Sequence, residues 1–328
     1  YQPTAEQLAK INAVSTVARS SVNKMMLPTF DVQQILEEDR LNQIEDVNIP
    51  FRFGKGFDTD LSLNKSGSWQ NTDDGRVWTM RFHSTGAKSL NFIFNDFYLP
   101  EGAELYIVNT DQTVLYGPVT ASCIPEDGFF MTDLIAGEDV SIHLFEPGEC
   151  MGQSRLKISR IIHAYRGVSV DANGALRSSG DLLPCHNDVA CFSDWNAESK
   201  AVALVLLANG TSLCSGALVM SADHSFRPYF LSAFHCVDIG DIPGALTAAE
   251  ISEAEHWMFK FDYKKGCGSN TVSSGVTFNG AVFRAGYCDT DFALMELNSN
   301  PGNVLYPPTW LGWDRSGSTP LSGTFIHH

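Results

Sequence analysis

From residue 50 to about residue 167 the chain is a succession of short stretches in which apolar and polar side chains alternate, each closed by a turn signal. The stretches are Val77-Trp78-Thr79-Met80-Arg81-Phe82, Leu90-Asn91-Phe92-Ile93-Phe94, Glu104-Leu105-Tyr106-Ile107-Val108 and Val140-Ser141-Ile142-His143-Leu144-Phe145. Between them stand Asp74-Gly75, Pro100-Glu101-Gly102, Asn109-Thr110-Asp111, Glu126-Asp127-Gly128 and Pro147-Gly148. A period of two sends successive side chains to opposite faces of a strand, and turns at this spacing reverse it. The pattern therefore predicts an antiparallel β-sandwich over residues 49–168. Cys123 and Cys150 fall inside it and are placed to staple one edge as a disulfide. No Asp, His or Glu cluster converges here. Trp69, Trp78, Tyr98 and Tyr106 offer faces for sugar stacking, but their alternation with polar neighbours predicts core positions.

The flanking segments differ in character. Residues 1–48 read as a helical leader. Thr4 and Gln7 form a capping-box pattern, and Leu8, Ile11, Val14 and Val17 recur near helical spacing. A second helix is predicted from Asp31, beyond Pro28, with Ile35 and Leu36 inward and Glu37, Glu38 and Asp39 outward. So little apolar surface cannot fold alone, which makes this segment a leader, a linker or an arm packed on something else. Residues 169–182 are rich in Gly, Ser, Asp and Asn, the composition of a linker. From residue 183 strands resume, and six of the eight cysteines lie there.

A length of 328 residues fits about two domains. Thirty-eight acidic against twenty-two basic residues give a net charge of −16, which repels phosphate backbones and argues against a nucleic-acid partner. The longest apolar run, Ala201 to Ala208, is far short of the roughly 20 residues of a membrane span. No Cys-x-x-Cys occurs, and wide, irregular cysteine spacing fits structural disulfides in an oxidising compartment. The sequence thus predicts a secreted protein, extracellular or periplasmic. Its signal peptide is either removed or upstream, because Tyr1 opens into polar sequence. His186 lies between Cys185 and Cys191, but that spacing fits no common zinc pattern, so no metal or cofactor is expected.

Two motifs carry chemistry. The first is Cys214-Ser-Gly-Ala-Leu-Val219 followed by Leu231-Ser-Ala-Phe-His235-Cys236; the second is Asp291-Phe-Ala-Leu-Met-Glu-Leu297. Together they resemble the chymotrypsin-like serine peptidases. That resemblance implies a Cys214–Cys236 disulfide, His235 as general base and a carboxylate that orients it. Asp291 directly abuts the apolar run and is expected to be buried beside the histidine; Asp289, two residues earlier, is its rival. Cys185-His-Asn-Asp-Val-Ala-Cys191, Trp257-Met-Phe-Lys-Phe-Asp-Tyr263 with Cys267, Leu311-Gly-Trp-Asp-Arg315 and Gly323-Thr-Phe-Ile-His-His328 narrow the likeness. They resemble the lysyl endopeptidases of bacteria over residues 183–328. This implies a Cys191–Cys267 disulfide and a partner for Cys185 beyond residue 328; Cys288 has no counterpart. Residues 68–78 and 99–106 resemble the region upstream of such peptidases. The implied role is a pro-region that packs on the peptidase domain and assists folding or keeps a zymogen silent.

The resemblance implies a mainly β fold in which the sandwich precedes a chymotrypsin-like double β-barrel. A complete pair of barrels needs about 200–250 residues, so the second is expected to be incomplete here. No Gly-rich serine motif occurs; Ser316-Gly317 stands where the family has a loop. The catalytic serine is accordingly expected beyond residue 328. The implied activity is cleavage of proteins or peptides after Lys or other basic residues. Seven basic and fifteen acidic side chains over residues 181–328 agree with a basic substrate. Phe234, before the histidine, is expected to enlarge a wall near the base, while Trp257 and Trp313 are expected in the core. The alternatives are an inactive peptidase homologue, or a surface- or carbohydrate-binding protein acting through the sandwich.

Overall fold

The computed structural model describes residues 24–45, 49–110, 114–167, 187–240, 243–264, 266–268, 275–303 and 309–328. The helix expected around Leu8–Val17, the linker at 169–182, Cys185 and His186 lie outside these residues. The leader supplies β1 (Lys24–Met26), α1 (Val32–Glu45) and β2 (Phe51–Arg52). The chain divides into two compact units. Residues up to Val32 belong with those from Phe53 to the Gly/Ser-rich stretch, whereas Gln33–Arg52 belong with the residues that follow that stretch.

The first unit contains β3 (Gly54–Ser62), β4 (Ser68–Thr72), β5 (Gly75–His83), β6 (Ser89–Tyr98), β7 (Glu104–Asn109), β8 (Leu115–Val119), β9 (Phe130–Met131), β10 (Ile135–Ala136), β11 (Asp139–Pro147) and β12 (Arg155–Ala164). One sheet runs β5-β11-β7-β8, with β4 and the parallel β1 sharing the outer edge of β5. The other runs β6-β12-β3, with β9 and β10 sharing the outer edge of β6. The inward residues of both sheets form a single core. Trp78, Phe82, Leu105, Ile107, Ile142 and Leu144 come from the first sheet, and Leu90, Phe92, Phe94, Ile158 and Ile161 from the second.

Two expectations need correction here. Cys123 and Cys150 are both free thiols. Cys123 is exposed in the turn after β8, whereas the buried Cys150 follows β11 and donates to the Pro147 carbonyl at 3.6 Å. The turns that carry them follow β8 and β11, strands with β7 between them, and no bond joins the two sulfurs. Of the four aromatics, Trp78 and Tyr106 are buried, but Tyr98 is exposed, with the Arg155 guanidinium 4.9 Å from its ring centre. Trp69 is half-buried beneath Arg76.

The second unit adds β13 (Val202–Leu206), β14 (Ser212–Leu218), β15 (Tyr229–Ser232), α2 (Ala248–Ala254), β16 (Met258–Phe261), β17 (Val276–Asn279), β18 (Ala281–Tyr287) and β19 (Phe292–Leu297). They form one antiparallel sheet in the order β17-β16-β13-β14-β15-β19-β18, with β2 on β14. β15 and β16 stand three positions apart, about 14 Å in a flat sheet. Yet Phe230 of β15 meets Phe259 and Phe261 of β16 with ring centres 4.9 and 6.0 Å apart. The sheet is therefore curled into a half-barrel around these rings. Trp257 is buried as expected, but Trp313 is 55% exposed, its indole N–H bonded to the Met220 carbonyl at 2.7 Å. Its single polar handle holds it on the surface.

Two buried histidines make the first unit acid-sensitive. His143 sits between Thr79 Oγ1 (3.2 Å) and Ser141 Oγ (2.9 Å), and His163 Nδ1 meets Ser84 Oγ at 2.7 Å. Burial pushes both pKa values down to about 4. The native state thus resists a proton that the unfolded chain binds near pH 6.5. The stability from neutral imidazoles is present above that value and is lost as pH falls towards 4, by up to roughly 3 kcal/mol per histidine. The urea midpoint of this unit, followed by pulse-labelled hydrogen exchange in β11 and β12, should fall across this range, and His143→Gln should flatten the profile. A His143→Gln profile as steep as that of the parent would refute the assignment.

Candidate active site

Antiparallel register brings the site together. β15 pairs with β19 through Tyr229↔Glu296, Phe230↔Met295, Leu231↔Leu294 and Ser232↔Ala293. The chain leaves β15 into a tight turn, Phe234–Cys236, and enters β19 from another, Cys288–Thr290. Residues three beyond Ser232 and two before Ala293 therefore meet at one end of the pair. They are His235 and Asp291.

Glu296 holds this register from the far end. Its carboxylate accepts two hydrogen bonds from Arg227 Nη2, at 2.8 and 2.7 Å, and one from Arg284 Nε at 2.8 Å. Arg227 precedes β15 and Arg284 lies on β18, so one acid ties three neighbouring strands. A forked Arg–carboxylate pair has a fixed geometry, which is why it sets a register rather than merely adding charge.

At the near end Asp291 grips His235 twice. Oδ1 accepts the His235 backbone N–H at 3.0 Å, and Oδ2 lies 2.8 Å from Nδ1 of the ring. One carboxylate thus fixes both the backbone and the imidazole. With Nδ1–H donated to Asp291, Nε2 becomes the nitrogen that can take a proton. Asp291 manages this from the left-handed region, φ +50° and ψ +45°, which Asp tolerates better than most residues. Its side chain is 42% exposed, against the burial expected from the sequence, and that of His235 is 26% exposed. The backbone at Asp291 turns sharply before β19 begins, so the acid stands at the sheet's end and not within the apolar run.

The rival acid is engaged elsewhere. Asp289 accepts from the Tyr287 hydroxyl at 2.7 Å and from the Cys288 thiol at 3.4 Å. Ser316 is likewise occupied, its hydroxyl donating to Asp314 at 2.9 Å. Among the described residues no hydroxyl is bonded to the ring of His235. Phe234 forms no wall at the base: it is 5% exposed and packs inward on Gly286, where a Cβ would come within 3.0 Å of its ring.

Disulfides anchor the surroundings. Cys214–Cys236 ties β14 to the turn carrying His235, and Cys191–Cys267 closes a separation of 76 residues. Cys214, Cys236 and His235 bring ligand-type atoms within 4.8 Å of one another. Because the two sulfurs are bonded together, they supply no thiolates, and the trio does not make a metal site.

A buried frame beyond the histidine escapes notice in the sequence. Thr247 and Glu250 form a reciprocal capping box at the start of α2. The same carboxylate accepts the Gly240 N–H at 2.8 Å, pinning the loop that follows Cys236. These hydrogen bonds, led by that of the Thr247 N–H, hold the Glu250 carboxyl below its usual range. The Thr-x-x-Glu pattern was the readable signal for it.

Comparison with known proteins adds two findings. Residues 179–328 match the family model described as lysyl endopeptidase, C-terminal domain. Over 283 residues the chain is 24% identical to a lysyl endopeptidase of Pseudomonas aeruginosa, covering 79% of this chain and 57% of that protein. The chain thus spans little more than half the length of the curated relative it matches. No helix among the described residues is long and apolar enough to cross a membrane.

The double grip of Asp291 is testable without any assay of turnover. Asp291→Ala removes a charge-assisted hydrogen bond from the His235 amide, so exchange at that amide should accelerate by about tenfold to a hundredfold. Asp289→Ala should change it by less than about twofold. The reverse order would assign the histidine to the other acid.

Proposed function

We propose that this chain is part of a secreted serine endopeptidase precursor that hydrolyses peptide bonds after Lys or other basic residues. The observation that carries this reading is the His235 Nδ1–Asp291 Oδ2 contact of 2.8 Å. It lies inside the stretch that matches the lysyl endopeptidase family model. The preference for basic residues comes from that likeness, and the excess of acidic side chains over residues 181–328 agrees with it.

The proposed chemistry is acyl transfer. A serine supplied by chain outside residues 1–328 attacks the substrate carbonyl. His235 Nε2 takes the hydroxyl proton and later returns it to the leaving amine. Asp291 holds the imidazole in the tautomer that leaves Nε2 free and stabilises the imidazolium once it forms. The donors that stabilise the tetrahedral oxyanion belong with the serine. Residues 1–168 serve as a pro-region and 183–328 as part of the peptidase domain. Two disulfides agree with an oxidising, extracellular or periplasmic setting.

In the complete protein His235→Ala should abolish turnover of a lysyl substrate, and Asp291→Asn should lower kcat by about 10⁴-fold. Asp289→Asn should stay within about threefold of the parent. A serine-directed phosphonate should label the complete protein. Full activity in His235→Ala would refute the assignment, and failure to label would favour an inactive homologue.

A further inference from the structure

We infer that Phe51–Arg52 of the leader is a built-in blocking strand. It occupies the open edge of β14 beside the turn that carries His235, and the inference is that the departing side of a polypeptide substrate pairs with this edge in its place. The inference rests on the peptidase reading above and concerns how that site is kept closed.

β14 pairs with β15 through Ala217↔Leu231 and Leu218↔Phe230. Ser232 Oγ then reaches the Ser215 carbonyl at 2.9 Å. Followed in the same sense, the turn Phe234–Cys236 lies opposite the residues around Cys214, and the Cys214–Cys236 disulfide holds it there. Beyond that point β15 has ended and this edge of β14 is open to another strand. β2 fills it, antiparallel, through Ser212↔Arg52 and Leu213↔Phe51. The opposite edge of Leu213 is already paired with Leu206 of β13. β2 thus continues the line of β15 along one edge of β14, with the histidine's turn between them.

An exposed strand edge binds extended polypeptide through its backbone groups and with little regard to sequence. That is what a peptidase needs beside its base, and what it must cover before activation. The leader's short strand is the occupant of this edge. It is also anchored. Arg52 Nε is bonded to Asp39 of α1 at 2.6 Å, and its guanidinium lies 3.5 Å from Glu38. Asp39 is only 5% exposed. The pair folds the helix back onto the strand and also engages the one basic side chain of β2. Arg52 is therefore held by the leader's own acids.

The test uses the complete protein with a specific protease site introduced within residues 169–182 and cut after folding. Phe51→Pro removes a strand N–H, whereas Arg52→Ala keeps every backbone donor and removes the anchor. The Phe51 amide should be protected from exchange in the parent and should lose protection in Arg52→Ala, which keeps that donor but removes the anchor. Hydrolysis of an unfolded polypeptide should rise about tenfold or more in Phe51→Pro and by a smaller factor in Arg52→Ala. A single-residue lysyl anilide has no chain on the departing side, so its hydrolysis should change by less than about threefold. Unprotected amides in the parent, an unchanged polypeptide rate, or an equal rise with both substrates would overturn the blocking role and leave the peptidase reading intact. No hydrolysis of either substrate by any sample would overturn the peptidase reading, and the blocking role with it.

Discussion

The pairing of β15 with β19 is the constraint on which the site depends. A strand has a side-chain period of two, so a slip of one residue would turn Phe230 out of the half-barrel and carry Asp291 away from His235 together. The register is secured by different means along its length. Phe230 is seated among the rings of Phe259 and Phe261. Arg227 and Arg284 converge on Glu296. The Cys214–Cys236 disulfide ties the histidine's turn to the neighbouring strand. Packing sets which face is inward, charge sets the alignment, and the covalent link holds the end at which the two turns meet.

Most strands were legible because alternation is a local signal. The stretches read as Val77–Phe82, Leu90–Phe94, Glu104–Val108 and Val140–Phe145 fall within β5, β6, β7 and β11. The meeting of His235 with Asp291 was legible only through resemblance, since nothing in the spacing of residues 56 apart indicates contact. The misjudged positions were those decided by neighbours remote in sequence. Trp313 has a hydrophobic name but a surface place, because its N–H finds the Met220 carbonyl there. Phe234 turned inward because Gly286, on another strand, leaves room for its ring. Cys123 and Cys150 lie in one unit, yet the turns that carry them follow strands that are not neighbours, and both thiols are free.

The leader shows the same limit from the other side. Its composition foretold an arm too poor in apolar surface to stand alone, but not where that arm would go. Its first strand pairs with β5, while β2 and the half-exposed Arg52–Asp39 ion pair place the rest on β14. Pro50, just before β2, biases Ile49 away from helix, so the chain arrives at β14 already extended. A two-residue strand is a modest contact.

The left-handed backbone at Asp291 restricts which residues can replace it. Few side chains occupy φ +50° without strain, and Asn is among the few that do. Asn also nearly preserves the shape of the acid while removing its charge. Most replacements at this position therefore disturb both the turn and the contact with His235, whereas Asn changes the charge alone. A single side-chain change here can thus remove the charge beside the histidine and leave the strands and the Cys214–Cys236 disulfide in place.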